Sequence, residues 1–289
     1  MGDHVGVAVI DKPDGPTSHG IVAQVRRHLD MKKVGHSGTL DPGATGVMLV
    51  GVGRATRLLR FLTDLPKSYS GLVVLGTETD SLDHQGEVTA THDMAGVTLE
   101  QVRAAAAEFQ GDIEQIPPMV SAIKVDGKRL HQLAREGKEI ERKPRAVTVH
   151  RIEAHATDDA GVFRLDVDCS SGTYIRSLAA DIGTALGGGA HLAHLRRTAI
   201  GSFGEDQARS VDDLELLTPA AAMADYPSVL VSDHIRTEIS YGRKLDPTLV
   251  ADAGDGPWAM VDSEATLLAV YEPDTKSELL RAAVVLAPA

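Results

Sequence analysis

The sequence predicts an α+β protein with a small all-β module at its C-terminal end. Three observations carry this. Strand-like and helix-like segments are interspersed, but not in the strict strand–helix alternation of a doubly wound sheet. The final segment, residues 228–289, is a series of short apolar runs (SVLVS, WAMVDS, TLLAVYEP, AAVVLAP) separated by turn residues. The chain is 289 residues long, and at roughly 100–200 residues per domain that suits one large unit or a large one with a small one.

Taken in order, residues 5–10 (VGVAVI) read as a buried strand and 11–16 (DKPDGP) as turn chemistry. Thr17 or Ser18 can cap a helix that runs to about Leu29, with Ile21, Val22 and Val25 on one face. Residues 35–46 (GHSGTLDPGATG) are too rich in Gly, Pro, Ser and Thr to be regular and read as a loop. A strand over 47–53 and a short helix carrying Arg54, Arg57 and Arg60 follow, then a strand over 68–79. Thr98 and Gln101 form a capping box for a helix that ends at Gly111. Asp126-Gly127 is the turn of a hairpin-like element, and the basic segment after it is expected to be helical in its first half.

Residues 162–169 (VFRLDVDC) alternate cleanly, with Phe163, Leu165, Val167 and Cys169 on one face, which makes Cys169 a small core residue rather than a nucleophile. A helix after Tyr174 ends at glycines 187–189. His191 and His194 are expected on a short helix and VDDLELL (211–217) as another. TPAAAMADYP (218–227) reads as a linker.

Composition narrows the function classes. Hydrophobic residues make up 43% and charged residues 24%, which argues against disorder throughout. The single cysteine excludes an internal disulfide and any multi-cysteine metal site, and points to a reducing compartment. No apolar run approaches the ~18 residues of a transmembrane helix, and no signal peptide is expected. The net charge of −12 taken alone argues against nucleic acid. Its distribution reopens the question: residues 24–60 hold seven Lys/Arg against two Asp/Glu, and residues 124–145 hold eight against four. Such runs are either basic surfaces or ordinary solvated faces.

The strongest local signal is HSGTLDPGATG. Pro42 biases Asp41 towards extended backbone, and Gly38, Gly43 and Gly46 permit sharp turns and close approach. A carboxylate displayed there suits a nucleophile or general base, or an aspartate that bonds its own loop in an Asx-turn. Other motifs fail: GVGRAT lacks the dinucleotide spacing, no phosphate-binding GxxxxGK[ST] occurs, and HLAH lacks the glutamate of a zinc protease. Glu78, Asp80 and Asp83 read as a solvated acidic loop rather than a metal site.

With these residues in view, the chain resembles the TruB family of tRNA pseudouridine synthases. GHSGTLDPGATG is similar to that family's catalytic loop and DKPDGPTS to its first motif. KSYSG resembles the strand that carries its tyrosine, CSSGTYIRSLAADIG the motif that carries its arginine, and GGGAHLAHLRRTAIGSF the segment that follows. The match spans roughly residues 5–205 in family order.

The resemblance implies a pseudouridine synthase fold, a mixed, largely antiparallel sheet flanked by helices and loops, plus a PUA-like RNA-binding domain. It implies a catalytic domain over 1–222, with a basic RNA-binding insertion at about 124–145, and the PUA-like domain over 228–289. It implies isomerisation of uridine 55 in the tRNA T-loop to pseudouridine, by base flipping, glycosidic cleavage, uracil rotation and rejoining through C5. Asp41, Tyr69 and Arg176 are then the expected catalytic residues, with the Arg176 guanidinium holding Asp41 charged by lowering its pKa. His36, Tyr69, Tyr174, Leu195 and Lys12 are the expected substrate contacts, Lys12 through the loop or a phosphate. No metal or cofactor is expected. The expected partner is the T-arm of tRNA, with no membrane and no obligate protein partner. A cytoplasmic monomer is the default. The alternatives are a tRNA-binding or folding protein without catalysis and a synthase directed by a guide RNA.

Overall fold

The computed structural model describes residues 4–119 and 142–286, with the backbone of 124–125 and 128–129. Its main sheet contains β1 (Gly6–Lys12), β2 (Val34–Ser37), β3 (Thr45–Val52), β4 (Lys67–Leu75), β7 (Gly111–Gln115), β10 (Arg145–Ala156), β11 (Val162–Cys169), β12 (Ala190–Ile200) and β13 (Phe203–Gly204). The path is β1-β3-β12-β4-β11-β10-β7, with β2 on β3 and β13 on β12. Only the β3–β12 pair is parallel in this sheet, so it is mixed and largely antiparallel. Two small ribbons lie apart: β5 (Thr77–Thr79) with β6 (Val88–Thr91), and β8 (Lys124–Val125) with β9 (Lys128–Arg129). The latter is the hairpin expected around Asp126-Gly127; most of the basic insertion, including its expected helix, lies outside the described residues.

The helices follow from local chemistry. α1 (Ser18–His28) begins where the Thr17 side chain accepts from Gly20 N–H, and it buries Ile21, Val22 and Val25 against β1, β2 and β3. α2 (Leu59–Asp64) continues a 3₁₀ turn over Gly53–Leu58. α3 (Leu99–Ala107) has both bonds of its capping box. α4 (Ile175–Ala185) buries Leu178, Ala179 and Ile182 on the sheet with Cys169, whose burial pushes its thiol up to about 11.

Three sequence expectations change. The strand over 68–79 breaks at Gly76, which adopts φ +85°. The HLAH segment is strand β12, not a helix: its glycine-marked stop belongs to α4, and the chain reverses directly into the sheet. VDDLELL is not helical, and Leu217 instead exchanges backbone hydrogen bonds with Val7 on β1.

A second sheet, β14 (Ser228–Leu230), β15 (Trp258–Val261), β16 (Leu267–Pro273) and β17 (Leu280–Val285), matches the apolar runs and carries one helix, α5 (Asp233–Ser240). It is not on a loose tether. Ala259, Leu267, Val270, Val284 and Leu286 share one core with Val7, Leu49, Leu58 and Phe61, and Ala222 and Met223 of the expected linker are buried in it. Arg54 donates to Leu286 O (3.2 Å), Arg57 to Val285 O (2.6 Å), and Arg60 pairs with Glu272 (3.0 Å). Three arginines of the basic stretch 24–60 therefore bond the second sheet while remaining exposed.

This shared core predicts that the second sheet unfolds with the first. Phe61→Ala should cost about 3–5 kcal/mol. In urea, the fluorescence of Trp258, the sole tryptophan, should shift its midpoint together with far-UV circular dichroism. An unmoved Trp258 transition would mean that the sheets are independent.

Candidate active site

Two segments of the first motif build the support for the Asp41 loop. Lys12, at the end of β1, is fully buried. Its ammonium donates to three backbone carbonyls, Pro13 O (3.0 Å), Pro42 O (2.9 Å) and Ala44 O (2.6 Å). Ser18 Oγ accepts from Leu40 N–H (2.8 Å) and donates to Leu40 O (3.0 Å). Gly15 N–H reaches Pro42 O (3.1 Å). The loop is thus fixed on both sides of Asp41. Lys12 braces the loop rather than contacting a phosphate: it has no surface to offer, and burial lowers its pKa. The turn at Asp41 is closed by its backbone carbonyl, which accepts from Ala44 N–H, leaving the carboxylate for the cleft.

That cleft, of about 280 Å³, is lined by Asp41, Lys67, Tyr69, Tyr174, Arg176, Leu195 and Arg197, with backbone of 38–40 and 171–173. It falls at the small end of ligand sites, roughly 300–1,000 Å³, a size for one base rather than a length of strand. Asp41, Tyr69, Tyr174, Arg176 and Leu195 are brought together as the sequence implies. His36 is not in the cleft lining. It lies on β2, half-buried, edge-on to His19 (5.1 Å between ring centres), with its buried Nδ1 unpartnered among the described residues. Burial, aided by His19, lowers its pKa.

Arg176, in the first turn of α4, is buried between two carboxylates. Its Nη2 meets Asp41 Oδ2 at 3.0 Å, and its Nη1 donates to Ser81 O (3.0 Å) and Asp83 Oδ2 (3.2 Å). Side-chain exposure is 5% for Arg176 and 43% for Asp41, so the carboxylate alone opens on the cleft. Asp83 is not in a solvated acidic loop: its other oxygen accepts from Ser81 Oγ (2.6 Å), and the loop is bonded to β12 through His84 N–H and Leu192 O. The expected sign of the Asp41 shift is reversed. Desolvation pushes its pKa up, Arg176 opposes this, Asp83 adds to the rise, and Lys12 lowers it; the net direction is upward. Since the side chain is still partly wet, a ligand that seals the cleft deepens this dehydration.

Tyr69 on β4 lies directly opposite Arg197 on β12 and Val167 on β11. Burial raises its phenol pKa and the Arg197 guanidinium, hydrogen-bonded to it, lowers it, with a net upward shift. Tyr174 precedes α4 and is clamped by buried Gln115: its N–H donates to Oε1 (2.9 Å) and its carbonyl accepts from Nε2 (3.2 Å). Leu195 lies opposite Gly71, where a side chain would crowd Leu192 and Leu195. Lys67, also buried, donates to Leu65 O (2.6 Å) and Thr63 O, and desolvation lowers it to about 8.

Comparison with known proteins decides the family. The model for the TruB family pseudouridylate synthase N-terminal domain matches residues 26–175, and that for the tRNA pseudouridylate synthase B C-terminal domain matches 176–229. The chain belongs to the TruB family. It is 44% identical to tRNA pseudouridine synthase B of Arthrobacter sp. (strain FB24), with 93% of this chain and 90% of that one covered. It is 41% identical to tRNA pseudouridine synthase B of Mycobacteroides abscessus, with 98% and 97% covered. Its fold matches a chain of a Cbf5-Nop10-Gar1 complex with a TM-score of 0.74 at 27% identity, covering 98% of this chain and 85% of that one. The protein is a pseudouridine synthase, an isomerase with the pseudouridine synthase fold and a C-terminal sheet of PUA-like character.

Asp83, Gln115, Lys67 and Arg197 escaped the sequence reading. Asp83, Gln115 and Arg197 act on partners 50 or more residues away, whereas Lys67 bonds the nearby carbonyls of Thr63 and Leu65; β12 shifts register on either side of 194–197, so simple alternation does not mark Arg197 as inward.

Lys12→Met should test the brace. Leaving its carbonyls without their donor costs about 1–3 kcal/mol. Amide exchange at residues 41–44 should rise while that of β11 does not. Unchanged exchange would mean that the loop holds its shape without the lysine.

Proposed function

We propose that this TruB family member converts uridine 55 in the T-loop of tRNA to pseudouridine. The observation that carries the reading is Asp41, partly open to a one-base cleft and paired with the buried guanidinium of Arg176. The named relatives support tRNA as the substrate.

The target base leaves the stack at a cost of a few kcal/mol and enters between Tyr69 and Leu195. The ionised Asp41 carboxylate meets the sugar–base junction, by attack at C1′ or at C6 of the uracil, and the C1′–N1 bond breaks. The uracil turns and C5 joins C1′. Tyr69 stacks on the base and takes the proton that C5 loses. Arg176 aims Asp41, Tyr174 lines the pocket beside it, and His36 with His19 contacts the RNA that the base has left. The steps of this reading call for no metal or cofactor.

The division of labour follows: residues 1–222 carry catalysis, with the basic segment 124–145 gripping RNA, and residues 228–289 form a PUA-like RNA-binding unit. Recognition rests on loop shape, stacking and phosphates. The protein works alone as a cytoplasmic monomer. No described helix is long and apolar enough to cross a membrane.

Purified protein incubated with unmodified tRNA transcript should yield pseudouridine at position 55 by position-resolved detection, and also on an isolated T-arm hairpin. Asp41→Asn should abolish product while tRNA binding persists. Product at another position would refute the assignment of the site, and product only with an added guide RNA would favour the guided alternative.

The pH dependence has a defined sign. Asp41 acts as the anion, and its pKa is raised, so activity is lost as pH falls through a value above the ordinary 3.8. Asp83→Asn removes the carboxylate that helps to hold it there. The acid limb of the single-turnover rate should move to lower pH in that variant, with a reduced plateau because Arg176 loses one anchor. A limb left in place would show that Asp83 does not set the charge on Asp41.

A further inference from the structure

Arg197 is among the largest fully buried side chains, at 1% exposure, and it is a cation. No carboxylate among the described residues lies within ion-pair distance of it. Its Nε donates to Val47 O (2.7 Å), and its Nη2 lies 3.5 Å from Gly38 O, three residues before Asp41. Tyr69 lies directly opposite it on β4 and lines the same cleft, and the charge and hydrogen bonding of Arg197 lower the Tyr69 pKa. Directly opposed residues on paired strands share a face, so this facing follows from the β4–β12 register. The position is guarded by Gly46, where a Cβ would fall 2.2 Å from Arg197 O; the backbone there adopts φ +101°.

A buried guanidinium without an acid is costly unless an anion can form beside it. Carbonyl oxygens satisfy its donors but not its charge. Lys67, the other buried cation in the cleft, adds to the imbalance. Among the described residues, the group that faces Arg197 and can become an anion is the Tyr69 phenol.

We propose that Arg197 is a positioning residue for proton removal from C5, holding the Tyr69 oxygen against the base and stabilising the phenolate that takes the proton. This rests on the reading of the cleft as a pseudouridine synthase centre in which Tyr69 is the acceptor. The step balances. The proton moves from C5 to the phenolate oxygen, and the C5–H pair closes the C5=C6 double bond. The C6=N1 pair returns to N1, which takes a proton from water, and the tyrosine later gives its own to solvent.

The test uses Arg197→Met and Arg197→Lys in the full chain, with tRNA transcripts carrying protium or deuterium at C5 of the target uridine. Single-turnover rates should fall by about 10²-fold in Arg197→Met, within the range for general base catalysis. The deuterium isotope effect should exceed that of the unsubstituted protein, since C5 deprotonation becomes slower relative to the other steps. The rate should also go on rising with pH where the unsubstituted protein has levelled off, because removing the guanidinium makes the phenol harder to ionise. Arg197→Lys should fall between the two. A slowed variant whose isotope effect equals that of the unsubstituted protein would overturn the proposal and leave Arg197 as a brace. Unfolding of Arg197→Met moves the same reading to Arg197→Lys, checked by Tm. Failure of the unsubstituted protein to make pseudouridine would sink the enzymatic reading itself, an outcome distinct from either.

Discussion

The geometry of the cleft depends on one guanidinium shared by two acids. Arg176 is fixed through Nη1 by Asp83 and Ser81 O, which leaves Nη2 to meet Asp41. A free arginine would follow the carboxylate wherever it went. An arginine anchored from behind sets where the carboxylate must be. Such preorganisation lets charged groups act without rearrangement at the moment of reaction. Desolvation is the main cause of the upward pKa of Asp41; Arg176 opposes it, and Asp83, a second carboxylate on the same cation, adds to the rise.

The loop that presents Asp41 obeys a related constraint. It is irregular and glycine-rich, so its own backbone cannot hold it. The required bonds come from the end of β1 and the start of α1, where Lys12 and Ser18 meet Pro42, Ala44 and Leu40. That is why two motifs separated by about twenty residues act as one unit. A lysine suits this task because its ammonium offers three donors around a point, matching three converging carbonyls.

Much of this was legible in the chain. Asp41, Tyr69, Tyr174, Arg176 and Leu195 were named from motifs, and the capping box at Thr98 and the four apolar runs of the second sheet were read from local pattern. What failed shares a physical cause. The roles of Asp83, Gln115 and Arg197 are set by partners far away in sequence, and HLAH has no periodicity strong enough to choose strand over helix. Lys12 was read as a support for the loop or a phosphate, and its burial against the loop carbonyls fits the first of these. The spacing of Arg54, Arg57 and Arg60 carries no record that a sheet 200 residues later bonds them.

That last point bears on how an acidic chain meets a polyanion. Arg54, Arg57 and Arg60 bond the second sheet and Arg26 donates to Val34 O, yet all four stay exposed along with Arg27, Lys32 and Lys33. Non-specific affinity for RNA scales with the number of phosphates neutralised, and bonds to backbone carbonyls leave the charges of Arg26, Arg54 and Arg57 in place, but phosphate contacts carry no sequence information. Selection must then come from the shape of the folded loop and from the stability of the extruded base in its pocket. A pocket that is apolar on the Leu195 side, charged at Asp41 and Arg176, and braced from behind supplies that stability only to a base that reaches it.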